Sequence, residues 1–398
     1  MQSEHLRAFV TGVTILTSDR AYGINFSKKE RQVSRNFQRC CLMLGKFRNL
    51  RRIELRFDRD CGPPDDPRYE FSETLAFRDR VFRMILQGLD NPSYRATRVD
   101  ELSIHNLQDM KMETAQSRPG FKTMISQLKA LSLSIATEHP GFGVHPHRTR
   151  SNLPEIQNFF NNTLPVQWLR PSQNGLTRLA LYADTYWGYY PACDLRALRF
   201  PCLTDLALGC YTFAHDHQLH WILEHRQTLQ SLSLDDCPIM HEIYVPKTSK
   251  GSDPLPFDDD QPRLKTDAYV WEYKTRWHHY FTLIRTQLHK LMSFAIGETE
   301  LDGSTGRTHE IAMTHRSYLG ATLAEGRYMR FHDEEYKVAE TDPPEDLVVY
   351  LDFAAHNAHE AERYEEYGEY PDCEEEDQKA LDQLMEAVRR RARNHLVA

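Results

Sequence analysis

The chain has 398 residues, of which 40% are hydrophobic and 27% charged, and its formal net charge is -8. This composition supplies a buried core and argues against a disordered chain. Lysine and arginine form no long basic block, so we expect neither nucleic acid nor an anionic membrane as a partner. The sequence shows no secretory signal and no apolar run of the roughly 18 residues that a transmembrane helix needs, which predicts a cytoplasmic or nuclear protein.

A spaced triplet of apolar residues occurs six times, its second and third members standing three and five positions after the first. The copies are Leu50-Ile53-Leu55, Val99-Leu102-Ile104, Leu128-Leu131-Leu133, Leu176-Leu179-Leu181, Leu203-Leu206-Leu208 and Leu229-Leu232-Leu234. A weaker seventh copy begins at Leu288. The last two members of each triplet have the alternation of a strand with one buried face. The spacing matches the core of a leucine-rich repeat.

Segments with helical spacing precede three of the predicted strands. They contain Val81, Phe82, Ile85, Leu86 and Leu89, then Leu219, Ile222 and Leu223, then Trp277, Phe281, Ile284 and Leu288. Residues 10–16, at the start of the chain, are typical of a strand. We therefore predict an α/β leucine-rich-repeat solenoid over residues 1–345, curved, with parallel strands on its concave face and helices on its convex face.

Two stretches interrupt the predicted repeat. Residues 139–175 are rich in proline and lack sustained periodicity, which predicts a surface excursion, and residues 246–267 are polar enough to be mobile. Residues 346–398 form a separate C-terminal unit, an acidic segment followed by a helix. One face of that helix carries Leu381, Leu384, Met385 and Val388, and we expect it to cap the last repeat.

The residue between the last two apolar members of each triplet points away from the predicted helices. These residues are Glu54, Ser103, Ser132, Ala180, Ala207 and Ser233; five of the six are serine or alanine, and their small size predicts a floor that a partner can approach closely. We predict a binding site along the border of this floor, at Arg52, Arg56, Glu101, His105, Arg178, Tyr182, Asp205 and Asp235. Tyr186 and Trp187 would either extend that site as a recognition patch or pack beneath a neighbouring loop.

Cys210, His215, His217 and His220 are four zinc-type donors within eleven residues, but their spacing fits no standard zinc site. The sequence contains neither a Gly-rich phosphate loop nor a GxSxG nucleophile elbow. We therefore predict no enzymatic activity, no cofactor and no bound metal. The alternatives are a metal-binding or hydrolytic protein that uses the His-rich loop 210–220 and a purely structural assembly subunit.

Three stretches carry a family resemblance: FPCLTDLALG at residues 200–209, YTFAHDHQLHWILEH at 211–225 and DDCPI at 235–239. They resemble filamentous-fungal F-box and F-box-like leucine-rich-repeat proteins. The resemblance implies a substrate receptor of a cullin-type ubiquitin ligase, in which an F-box binds the ligase adaptor and the repeats select a protein client. Residues 1–40 contain no recognisable F-box, so the resemblance covers the recognition half. A protein client and the cullin-ligase adaptor are the expected partners.

Overall fold

The computed structural model describes residues 4–17, 33–58, 61, 73–91, 98–137, 154–246, 263–264, 268–298, 319–324, 326–332 and 370–397. Three predicted segments fall partly outside these residues. They are the first part of the insertion at 139–175, most of the stretch at 246–267 and most of the acidic segment that begins at residue 346.

The described residues form two sheets. The strands are β1 (Gly12–Leu16), β2 (Arg52–Arg56), β3 (Glu101–Gln108), β4 (Ala130–Ala136), β5 (Arg178–Ala183), β6 (Asp205–Gly209), β7 (Ser231–Asp235), β8 (Ile239–Pro246), β9 (Arg263–Leu264), β10 (Ala268–Glu272), β11 (Ser293–Gly297) and β12 (Tyr328–His332). The main sheet has eight strands in the order β1-β2-β3-β4-β5-β6-β7-β11, and every pair in it is parallel. The second sheet has four strands in the order β12-β8-β10-β9.

Helices connect most of the strands of the main sheet. They are α1 (Glu4–Arg7), α2 (Arg35–Leu42), α3 (Leu75–Leu89), α4 (Glu113–Gln116), α5 (Pro119–Ser126), α6 (Pro154–Asn158), α7 (Asp216–Leu223), α8 (Trp277–Gln287) and α9 (Glu374–Val397). A π-helix covers Phe159–Leu169, and short 3-10 turns cover Leu44–Lys46 and Arg170–Ser172. Within these described elements, no helix has both the length and the apolar character needed to cross a bilayer.

The prediction of a curved leucine-rich-repeat solenoid is wrong. The chain has an α/β fold with a flat, eight-stranded, all-parallel sheet of the Rossmann-like kind. A solenoid curves because one structural unit repeats, but the connections here differ in kind. A 15-residue helix joins β2 to β3, no helix joins β5 to β6, and three strands of the second sheet, β8 to β10, lie between β7 and β11 in the chain. The triplets mark strands, but the segments between them are not equivalent units.

Two parallel rows of apolar side chains form the centre of the core. Their members are Ile53, Leu102, Leu131, Leu179, Leu206 and Leu232 in one row and Leu55, Ile104, Leu133, Leu181, Leu208 and Leu234 in the other, each 0–1% exposed. Neighbours along each row are partners in the strand register. Apolar residues of α3, α5, α7 and α8 belong to the same core cluster, so these helices cover this side of the sheet. We call it the leucine face.

The described part of the predicted insertion packs one set of apolar side chains into the core and leaves others, such as Val166, exposed. Phe159, Phe160, Leu164 and Trp168 are buried, and the Trp168 ring packs 5.0 Å from that of Phe121. These residues lie on a π-helix, whose turns are longer than those of an α-helix. A search for periodicity at 3.6 residues therefore finds no pattern in them.

The second sheet and the last helix complete the structure. In the second sheet, β8 pairs antiparallel with β10 and parallel with β12, and the sequence analysis did not predict these strands because none carries a triplet. The predicted C-terminal helix is present, and it begins with four acidic residues. Leu381, Leu384 and Val388 are buried where α9 packs on α8 and β11, so the apolar face expected of this helix is confirmed.

Gly209 gives a test of the packing on the side of the sheet opposite the leucine face. A Cβ atom at this position would lie 2.2 Å from the ring of Tyr182, which is the neighbour of Gly209 on β5. We expect Gly209→Ala to lower the free energy of unfolding by about 1–3 kcal/mol, because overpacking forces the ring to move. Urea denaturation measures this loss.

Gly175→Ala is the matched control, since its Cβ would meet only the flexible end of Lys129 within 3.4 Å, and we expect little change in stability. The loss caused by Gly209→Ala should shrink in a Tyr182→Ala background. If Gly209→Ala lowers the free energy of unfolding equally in both backgrounds, the contact with the Tyr182 ring is not the cause of the loss.

Candidate functional site

The residues of the predicted floor form one continuous row across the main sheet. Glu54, Ser103 and Ser132 are register partners on β2, β3 and β4, and the row continues through β5, β6 and β7. Strand alternation places this row opposite the leucine face. We call this side of the sheet the serine–alanine face. Ser103 and Ser132 are half-buried, whereas Ala180 and Ala207 are buried, so the face is more accessible over β2 to β4.

A network centred on Glu54 joins the first three strands on this face. The Glu54 carboxylate accepts a hydrogen bond from Thr14 Oγ1 on β1 at 3.0 Å and one from Arg56 Nε at 2.7 Å. His105 Nε2 on β3 lies 3.3 Å from the same carboxylate. Burial would raise the pKa of Glu54, but the hydrogen bond and positive charge of Arg56 outweigh it and hold the pKa below its ordinary value. Glu54 is therefore ionised at neutral pH.

A second set of charges, which we call the charged row, runs along the amino ends of the strands. Its members are Arg52, Glu101, Arg178 and Asp205, and Ala130 occupies the row between Glu101 and Arg178. Because Ala130 is small, Arg178 reaches across β4 and donates to Glu101 at 2.5 Å. Their side chains are 50% and 37% exposed, so water screens the pair and it adds little to stability. These charges are accessible to a partner.

The remaining predicted site residues are less accessible. His105, Tyr182, Asp235 and Trp187 are buried. Trp187 donates through Nε1 to the Gly209 carbonyl at 2.9 Å and stacks on Phe160, which favours the packing interpretation of this aromatic cluster. The structure thus leaves Arg52, Arg56, Glu101, Arg178 and Asp205, on β2, β3, β5 and β6, at least partly exposed, but it buries Tyr182 and Trp187.

The sequence analysis missed a cluster at the carboxyl ends of β6 and β7. Cys210 and Asp236 each follow a strand directly, and both have a positive φ, 54° and 49°. Tyr186 donates its hydroxyl to both oxygens of the Asp236 carboxylate, at 2.9 and 3.0 Å, and Cys210 Sγ lies 3.8 Å from it. Backbone strain in non-glycine residues is tolerated where several contacts fix the conformation. The pair Asp235-Asp236 after a predicted strand was the available sequence signal.

Asp236 is the titrating group of this cluster. Burial, helped by the nearby charges of Glu298 and Asp235, raises its pKa to about 6 in spite of the hydrogen bond from Tyr186. Burial also raises the pKa values of Cys210 and Tyr186, so both keep their protons and can donate to the carboxylate. The cluster therefore holds one carboxyl group that exchanges its proton near neutral pH, without an activated thiolate beside it.

The structure does not gather the histidine-rich loop into a metal site. Cys210 faces Asp236, whereas the rings of His215 and His217 stack on each other at 5.0 Å. His220 lines a surface cleft with His279, Lys274 and Asp216. Over the described stretches, a different group of potential ligands comes close together: His278, Cys373 and Asp377.

Comparisons with protein-family models, with curated proteins and with solved structures found no match to this chain. The resemblance to F-box-like proteins therefore stays a prediction from the sequence. The candidate site has to be interpreted from its own geometry.

The raised pKa of Asp236 predicts a pH-dependent stability. Between pH about 4 and 6 the folded protein keeps a proton on Asp236 that the unfolded chain has released, so this carboxyl stabilises the fold at acid pH and destabilises it above pH 6. We expect Asp236→Asn to stabilise the protein by about 1–2 kcal/mol at pH 7.5, an advantage that should shrink towards pH 4.5. Asparagine tolerates the positive φ and keeps an acceptor for Tyr186.

Asp194→Asn is a control of opposite sign. Burial would raise the pKa of Asp194, but its hydrogen bonds from Arg196 hold the pKa below the ordinary value. This substitution should therefore destabilise the protein at pH 7.5 and do so less at pH 4.5. Denaturant unfolding at both pH values measures the two differences in stability. If Asp236→Asn is less stable than wild type at pH 7.5, the expected cost of the buried charge is contradicted.

Proposed function

We propose that the chain is a protein-binding module that holds its partner on the charged row and on the adjoining half-buried part of the serine–alanine face. One observation carries this proposal: four charged side chains line one side of a parallel sheet whose opposite side is covered by the helices. Parallel sheets usually have both faces covered. In the described residues Ser103 and Ser132 are half-buried, and a partner would cover them together with the charged row.

The chemistry of the surface indicates the kind of partner. The charged row alternates in sign, Arg52 and Arg178 with Glu101 and Asp205, so a partner segment with alternating acidic and basic side chains fits it better than a uniformly charged one. Ser103 and Ser132 are small and let the partner backbone approach the sheet. The pair between Arg178 and Glu101 is exposed, so its two side chains can exchange partners at little cost.

Charge reversal tests this surface. We expect Arg178→Glu to reduce the amount of partner protein captured by crosslinking in the native cell by about tenfold or more. The acidic side chain of the partner that would contact Arg178 then meets a negative charge. Arg199→Glu is the matched control, since Arg199 is 80% exposed and makes only a 3.7 Å contact with Glu224. Quantitative mass spectrometry of the crosslinked proteins gives the measurement.

The double variant Glu101→Arg with Arg178→Glu separates recognition from folding. It keeps the pair within the sheet but exchanges its two charges, so the protein should unfold at the wild-type temperature and still lose its partners. If Arg178→Glu retains the same partners as wild type and Arg199→Glu, the proposed surface is wrong. Probing the same samples for the cullin-ligase adaptor tests the separate prediction of a ubiquitin-ligase link.

A further inference from the structure

Three potential metal ligands meet where the last helix joins the rest of the chain. His278 lies in the first turn of α8, Cys373 directly precedes α9, and Asp377 lies in the first turn of α9. His278 Nδ1 is 2.9 Å from Asp377 Oδ1, and Cys373 Sγ is 3.5 Å from Asp377 Oδ2. All three ligand atoms lie within 4.8 Å of one another. Asp377 and Cys373 are buried, and His278 is half-buried.

The donor set and its spacing suit zinc. Imidazole nitrogen, thiolate sulfur and carboxylate oxygen are the three ligand types that zinc takes from proteins, with bonds of about 2.0 to 2.3 Å. In a tetrahedral shell with such bonds, neighbouring ligand atoms lie about 3.3 to 3.6 Å apart. Cys373 Sγ lies 3.5 Å from Asp377 Oδ2, which is within this range, whereas His278 Nδ1 lies 2.9 Å from the other carboxylate oxygen, Oδ1, and would have to move away from it by a few tenths of an ångström.

Groups around the three ligands provide an outer shell. Asp377 Oδ2 accepts hydrogen bonds from the Tyr328 hydroxyl at 2.7 Å and from Arg327 Nε at 3.2 Å. The Tyr328 oxygen also accepts from the backbone N–H of Trp277 at 2.9 Å and lies 3.3 Å from Cys373 Sγ. Outer-shell hydrogen bonds of this kind fix the orientation of a ligating carboxylate. Asp377 Oδ1 lies on the side of His278, where it accepts from the His278 backbone N–H at 2.9 Å and lies 2.9 Å from Nδ1, so an ion would replace the contact with Nδ1.

We propose that His278, Cys373 and Asp377 bind one Zn²⁺ ion that fastens α9 to α8. On binding, the Cys373 thiol releases its proton to solvent, and the thiolate and the Asp377 carboxylate supply two negative charges opposite the ion and the Arg327 guanidinium. A water molecule takes the fourth position. His278 and Asp377 are 99 residues apart in sequence, so the ion closes a long segment of chain on the folded structure.

Metal analysis and cobalt spectroscopy of the untagged full-length protein test the site. After incubation with Zn²⁺ and dialysis, we expect about one zinc per chain in wild type and in the control Cys202→Ser, whose cysteine is exposed. Cys373→Ser should retain less than a tenth of that amount. With Co²⁺ in place of zinc, wild type and Cys202→Ser should show the absorption band of a thiolate–cobalt bond, and Cys373→Ser should lack it.

A stability measurement keeps the test decisive if Cys373→Ser folds poorly. Wild type and Cys202→Ser should unfold at a higher temperature in Zn²⁺ than in EDTA, because the ion binds only the folded site. Two results would overturn the proposal: a folded wild type with no retained zinc and no thiolate–cobalt band, or equal zinc retention by a folded Cys373→Ser. In the first case the cluster connects α9 to α8 by hydrogen bonds alone, and in the second case the zinc binds elsewhere.

Discussion

Two rows of branched apolar side chains between the main sheet and its helices stabilise most of this structure. Each buried leucine contributes about 1.5–3 kcal/mol relative to an exposed one, and the rows extend across six neighbouring strands. The contribution depends on register, because a slip by one residue would turn every leucine to the other side of the sheet. The parallel strand order and the placement of α3, α5, α7 and α8 on one side follow from this constraint.

The same alternation decides what the opposite face can do. Small residues at the middle positions leave room for Tyr182 to lie across Gly209, which closes the face over β5 and β6. Over β2 to β4 the face is half-buried at Ser103 and Ser132, Glu54 contacts Arg56 on its own strand and His105 on β3, and Arg178 reaches from β5 to Glu101. Accessible surface and closed surface thus lie side by side on one sheet, and the boundary between them is set by side-chain size.

The structure separates its polar clusters from one another. Asp236, Tyr186 and Cys210 join the loop after β5 to the ends of β6 and β7. Asp377 lies instead where α9 meets α8, and there groups of four different residues donate to it or lie within hydrogen-bond distance. Both carboxyl groups connect segments that are distant in sequence.

The sequence by itself determined the α/β class, six strands and their buried faces, because a period of two and a period of 3.6 are local properties that the triplets and the helical spacings record. It did not determine how the strands assemble, and unequal connections gave a flat sheet where the triplet spacing predicted a curved solenoid. Only the tertiary structure showed that Trp187 is buried, that the π-helix packs apolar side chains into the core, and that His278 meets Asp377. Burial and pairing between residues 99 positions apart depend on long-range packing, for which neighbouring residues carry no signal.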